Sequence, residues 1–318
     1  NFKNYMSNAP MELTPSAKKK PLEVALPMPD GSFEIFEVVE SPSMHSDLTA
    51  QFPEIRSFVG RGKYNKNLRT RFDHSYVGFH GTISGDEDVI YMEPYAKNQD
   101  QYHMVYYRKN FVPDNMPELN CGITDHLPQV IEENIHAMHP ENDVDNRNDD
   151  EQEDENVEMK VYRLAMSCTG EYSINHGGTT QTVLSSFNTA VNRLNELLGN
   201  DANIKLEIVP LSSLTIFLDP QTDPYNINTT SEIQQTICQN QLNALIGSGN
   251  YDIGHLFQQG ICTTNQGTTI AGQASLGAVC SANKGRGITC HFTNSVLFMA
   301  ENTWAHEIGH SFAAGHTW

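Results

Sequence analysis

Three histidines and a glutamate stand near the end of the 318-residue chain, in the run His306-Glu307-Ile308-Gly309-His310-Ser311-Phe312-Ala313-Ala314-Gly315-His316. Residues four apart share one face of a helix, so His306 and His310 sit one turn above each other, and two imidazoles so placed can hold one Zn2+. His316 lies too far along to join them on a straight helix. It reaches the same ion only if the chain turns back after Phe312, and Gly315 is available for such a turn. Three nitrogen donors leave one position open, which is the arrangement of a catalytic rather than a structural zinc site. Glu307, beside the first ligand, is the natural base for a water in that position. An HExxH run alone is a weak signal, since a helix with surface histidines gives it too; the third histidine at its offset sharpens it. Leu297, Ala300, Trp304, Ile308 and Phe312 recur at helical spacing, so an apolar stripe packs on the side away from the histidines.

These residues resemble the zinc signature of the metzincin metallopeptidases, HExxHxxGxxH, and within them the reprolysin-like, adamalysin-related branch. Two positions depart from the pattern. Ala313 stands where the family has glycine, and Thr317 follows the third histidine where adamalysins carry aspartate. A left-handed Ala313 carries strain of about 1 kcal/mol or more; otherwise the helix turns later than usual. The family's Met-turn comes well after the third histidine and this chain ends at Trp318, so the lower lobe, with the pocket wall for the residue after the scissile bond, is expected beyond it. The resemblance implies an α/β (α+β) upper lobe with a twisted mixed sheet above a zinc helix. It also implies zinc on His306, His310 and His316, and protein or peptide substrates.

Composition narrows the alternatives. The formal net charge of −19 argues against nucleic acid or an anionic membrane surface as partner. No apolar run is long enough for a membrane span, and no signal peptide is present in the sequence as given. Cys121, Cys168, Cys238, Cys262, Cys280 and Cys290 form no CxxC pair, so a structural zinc ribbon is not expected. Widely spaced cysteines read as disulfides of a secreted protein, with buried free thiols as the alternative. Their connectivity is not readable.

Residues 1–21 are polar, include Lys18-Lys19-Lys20, and read as a solvated leader. Residues 22–140 read as a mostly β domain. Pro29-Asp30-Gly31 is a turn before Phe33-Glu34-Ile35-Phe36-Glu37-Val38, and Ser84-Gly85-Asp86 joins two further strands. Parts of this domain look like the propeptides of bacterial secreted reprolysin-like proteases. Cys121-Gly122-Ile123-Thr124 resembles the propeptide segment whose thiolate occupies the zinc in adamalysin and matrixin zymogens. A thiolate is a good fourth zinc ligand, and Gly122 lets the backbone come close to a cleft. The even cysteine count keeps a disulfide at Cys121 open as the rival. Residues 141–158 carry ten acidic side chains against Arg147 and form a charged linker where activation is expected. They lack the spacing and the glycine of an EF-hand, so calcium is not readable as a cofactor.

Residues 159–318 alternate strands and helices and form the expected catalytic domain. Val161–Met166 is a strand and Val183 to Leu198 a helix. Ser231 and Gln234 suggest a capping box before a second helix over 232–246. Residues 204–211, 214–218, 252–257, about 268–279 and 287–291 read as strands. By order in the family fold, the stretch holding Gly272, Ala274, Leu276, Gly277 and Ala278 is the sheet edge above the zinc, where an extended substrate can pair.

The reading is a secreted, zinc-dependent endopeptidase in zymogen form, with its own propeptide as inhibitor in cis. A zinc-bound water attacks the peptide carbonyl and Glu307 is general base. Two rivals stand beside it: a catalytically silent binding or adhesion protein of the same fold, for which Ala313 would be a first sign of decay, and a small-molecule metallohydrolase. A cleft open along an edge strand separates the last from a peptidase.

Overall fold

The computed structural model describes residues 2–85, 88–96, 99–111, 121–122, 158–291 and 303–316. The acidic stretch therefore lies outside the described residues except for Glu158. No helix of the described residues is long and apolar enough to cross a membrane.

The N-terminal half is one seven-stranded antiparallel meander in sequential order: β1 (Leu22–Pro27), β2 (Phe33–Glu40), β3 (Arg56–Gly62), β4 (Arg69–Ser75), β5 (Gly78–Ser84), β6 (Ile90–Ala96) and β7 (Gln99–Tyr107). Alternation gives the sheet two different faces. One face carries Val24, Leu26, Phe36, Val38, Phe58, Phe72 and Met92 into a core. The leader is not solvated throughout: the helix Phe2–Met6 lays Met6, fully buried, on that core, and Glu12 N–H bonds to Glu40 O at 2.8 Å. Met6 and Ala9 add the apolar area that the polar composition of the leader conceals.

The C-terminal half is a five-stranded sheet in the order β13-β14-β10-β8-β9. Strands β8 (Lys160–Cys168), β9 (Ile204–Ile208), β10 (Ile253–Gln259) and β14 (Gly287–His291) run parallel, and β13 (Gly272–Ala274) closes one edge antiparallel to β14. Two-residue strands β11 (Cys262–Thr263) and β12 (Thr269–Ile270) pair beside it, so the long strand expected over about 268–279 is broken into two short ones. The long helix Thr180–Asp201 covers one face with Val183, Phe187, Val191 and Leu194. The helix Ser231–Leu245 covers the other with Cys238 and Leu242. The expected strand over 214–218 begins instead as the 3-10 turn Ser212–Thr215, with Leu214 exposed.

Among the described residues, two of the places where the halves join lie away from His306, His310 and His316. At the free edge of β9, His45 N–H bonds to Ile208 O and Ile208 N–H to Ser43 O, both at 2.9 Å. The polar face of the N-terminal sheet lies on the long helix: Ser57 donates to Asn188 at 3.0 Å, Ser84 to Glu196 at 2.7 Å, and Arg193 pairs with Glu93. Ser57, Asn188 and Arg193 are buried, and each of these contacts gives one of their polar atoms a partner.

Six cysteines do not give three bridges. Cys262 and Cys290 form a disulfide joining β11 to β14, while Cys121, Cys168, Cys238 and Cys280 are thiols. Cys168 and Cys238 are wholly buried, and burial pushes each thiol up to about 12, so they act as small apolar core residues.

Candidate metal centre and cleft

The histidine helix spans Trp304–Ser311. Trp304 and Ile308 are fully buried under the sheet, and Phe312 packs edge-on against Tyr162 at 5.0 Å; Leu297 and Ala300 of the expected stripe lie outside the described residues. This anchoring turns His306 and His310 toward the cleft, with their Nε2 atoms 2.9 Å apart.

The chain then reverses through a Schellman turn. Ala314 N–H bonds to Gly309 O at 2.9 Å and Ala313 N–H to His310 O at 2.8 Å. Ala313 takes the left-handed position at φ +70°, so the helix stops where a glycine would stop it and an alanine bears the strain. The reversal brings His316 Nε2 to 3.2 Å from His306 Nε2 and 3.1 Å from His310 Nε2. It also presents the carbonyl of Ala314 to His310 Nδ1 at 2.7 Å. A carbonyl can only accept, so Nδ1 carries the hydrogen and Nε2 keeps its lone pair for a metal.

A fourth donor comes from far away in sequence. Cys121 Sγ is 3.4 Å from His310 Nε2, and the four donor atoms of Cys121, His306, His310 and His316 all lie within 4.8 Å of one another. Around a tetrahedral zinc with ordinary bond lengths, neighbouring donors stand roughly 3.3–3.6 Å apart. The donor set is one that Zn2+ takes, and the three nitrogens stand slightly inside that spacing, so a small outward shift of the imidazoles seats the ion. Burial first, then the neighbouring His310 and His316, hold the His306 imidazolium below its usual range, which favours the neutral, ligating form.

Glu307 is 1% exposed. Burial pushes its carboxyl up to about 8, opposed by a hydrogen bond from Cys121, and its Oε2 has no protein partner. The backbone of β13 passes directly over this carboxyl. A Cβ added to Gly272 would stand 2.7 Å from both Cγ and Oε1 of Glu307, so this close approach requires glycine.

The Cys121–Gly122 segment lies along the same strand. Cys121 forms a parallel bridge with Gly272, and Gly122 N–H bonds to Gly272 O at 3.1 Å. Ala274 is on β13, paired with Gly287. Leu276, Gly277 and Ala278 lie past its end, in a turn tied to the histidine helix by Gly277 N–H to His310 O at 2.9 Å. One further residue faces the segment, and sequence reasoning did not find it: Gln273, which donates to Gly122 O at 3.1 Å and is held from behind by Ser231 and Gln235. The expected capping box at Ser231 is absent. Thr230 is the N-cap residue without a side-chain cap bond, its hydroxyl being given to Asn265 at 2.6 Å, while the Ser231 hydroxyl is given to Gln273.

Residues 158–318 match the family model of the reprolysin-like metallopeptidases of family M12B. Among solved structures, the chain is similar to metalloproteinase-II from Bacteroides fragilis at 12% identity and a TM-score of 0.46, over 99% of this chain and 85% of that one. No curated protein matches it by sequence.

Proposed function

The chain belongs to the reprolysin-like metallopeptidases of family M12B, and on that footing we propose that it is a secreted zinc endopeptidase of metzincin fold, held latent by its own N-terminal domain. The observation that carries the latency is Cys121: its sulfur completes the ring of three histidines while its backbone runs along the sheet edge beside them.

His306, His310 and His316 are the residues that would hold zinc, with Ala314 O fixing the tautomer of His310. The ion supplies Lewis acidity, acidifying water and polarising the scissile carbonyl. Glu307 takes the proton from the attacking water and returns it to the leaving amine. Its buried carboxylate with an uncommitted Oε2 suits that exchange. Gly272 and Ala274 offer main-chain groups to an extended peptide, and Leu276, Gly277 and Ala278 brace the strand against the histidine helix. A chain segment lying along this edge supports a peptide substrate over a small molecule. Ala313 does not favour a decayed site, since His316 still arrives beside its partners.

Residues 22–140 serve as the propeptide. Cleavage in the linker, between Glu141 and Val161, would release the Cys121 thiol from the three histidines that would hold the metal. The Cys262–Cys290 disulfide is consistent with an oxidising compartment and hence with secretion.

The test uses the full-length protein activated by an added protease. Elemental analysis should find one zinc per chain. Casein cleavage should vanish on exhaustive chelation and return with zinc. Activity that survives complete removal of the metal sinks the reading.

A further inference from the structure

We propose that Gln273 is a substrate-binding residue that grips a main-chain carbonyl of the peptide in the cleft, and that Ser231 and Gln235 are positioning residues that aim it. The inference rests on the peptidase reading for its ligand and on local geometry for everything else.

Gly122 shows the grip. Its N–H is bound by the main chain of Gly272 and its carbonyl by the side chain of Gln273, each at 3.1 Å. One residue of a chain crossing the cleft is thus held at both of its polar backbone groups. The second hold comes from a side chain, which an ordinary strand edge does not supply.

The orientation of the Gln273 amide follows from its partners. A carbonyl only accepts, so the NH2 end must face Gly122. The other end, Oε1, accepts from the Ser231 hydroxyl at 2.7 Å and from Gln235 Nε2 at 2.8 Å. Ser231 and Gln235 are 1% and 5% exposed and sit one turn apart on a single helix, so neither drifts. A glutamine loose in solvent surrenders rotamer freedom when it binds; this one is already fixed. Every residue of a peptide carries a carbonyl, so the ligand class is an extended main chain, with glycine the easiest residue to seat at the gripped position. Gly122 adds a close fit: a Cβ there would meet Cγ and Cδ of Gln273 at 3.0 Å.

The test compares Gln273→Glu, which keeps the shape and loses the donor, with Gln273→Leu and Ser231→Ala in the full-length protein activated by an added protease. For a peptide substrate, KM should rise about five- to tenfold in both Gln273 variants, with kcat within about twofold and zinc content unchanged. Ser231→Ala should fall between. Thioamide substitution of the substrate, one carbonyl at a time, should weaken wild type at one position and cost the Gln273 variants nothing further there. The Kd of the same peptide for a Glu307→Ala background should shift with Gln273 as KM does. Equal KM and Kd with and without Gln273 overturn the inference and leave the peptidase reading intact. Gln273-dependent peptide binding by a zinc-loaded protein that cleaves nothing sustains the inference and overturns the peptidase reading. Retention of full affinity by Gln273→Glu alone assigns Gln273 to packing and also overturns it.

Discussion

Thr189 of the long helix donates its hydroxyl hydrogen to Asp73 of β4 at 2.8 Å, and neither side chain reaches solvent. The pair sits at the centre of the contact between the two halves. Arg193, Glu93 and Asn192 also act on the Asp73 carboxyl.

Burial raises Asp73 from its ordinary 3.8 to about 7. A carboxyl freed by undocking has lost its proton above about pH 4, whereas the docked one keeps it until about pH 7. The docked state therefore binds the extra proton. On this group's account, docking is strongest below about pH 4, weakens as pH rises from there to about pH 7, and stays constant above it. The full difference is on the order of 4 kcal/mol. Asp73→Asn should flatten the slope and raise stability at pH 8. Urea midpoints at pH 5 and pH 8 measure this, and an unchanged slope in the variant refutes the assignment.

Cys121→Ser should remove the sulfur from the zinc of the uncleaved protein. X-ray absorption should read three nitrogens and one sulfur in wild type and no sulfur in the variant. The tethered thiol holds its position through high effective concentration, so the variant should be active without cleavage or process itself faster. Labelling of denatured, non-reduced protein that finds Cys121 already oxidised rejects the model.

Glu307→Ala should keep the metal and lose turnover by roughly 10²- to 10⁴-fold, the usual contribution of a positioned acid–base group. Zinc content by elemental analysis separates this from loss of a ligand. A variant without zinc means that the roles are misassigned.

Ala313→Gly should stabilise the protein by about 1 kcal/mol, since glycine takes φ +70° without the Cβ clash. Thermal unfolding at fixed zinc concentration reads the gain. A lower midpoint would show that the alanine methyl contributes more by packing than it costs in strain.

The histidine site was legible because helical period and turn chemistry act over a few residues: His306 and His310 follow from spacing, and His316 from the turn. The β character of the first half and the alternating second half were legible from pattern and turn signals as well. Gln273 was not. Its partners Ser231 and Gln235 are 42 and 38 residues away in sequence, and Ser231 with Gln234 carries the same letters as a helix cap whether the hydroxyl turns to the helix or to the cleft. Cysteine spacing pointed to disulfides, and Cys262–Cys290 is one, but it could not say which cysteines pair, since pairing is decided by which strands become neighbours. The leader misled because its polarity outweighs two small apolar anchors, Met6 and Ala9.

The backbone contact at Ile208 leaves a liability once the halves part. Strand β9 is the last of its sheet, and Ser43 and His45 now occupy its outward N–H and C=O. Any cleavage that releases the N-terminal half uncovers a bare strand rim, the kind of template on which chains stack into aggregates. The sequence Ile204-Lys205-Leu206-Glu207-Ile208 carries its own safeguard. Lys205 and Glu207 place charge at alternate positions, so a second copy laid parallel and in register meets like charge against like, and only an antiparallel copy centred on Leu206 sets Lys205 against Glu207.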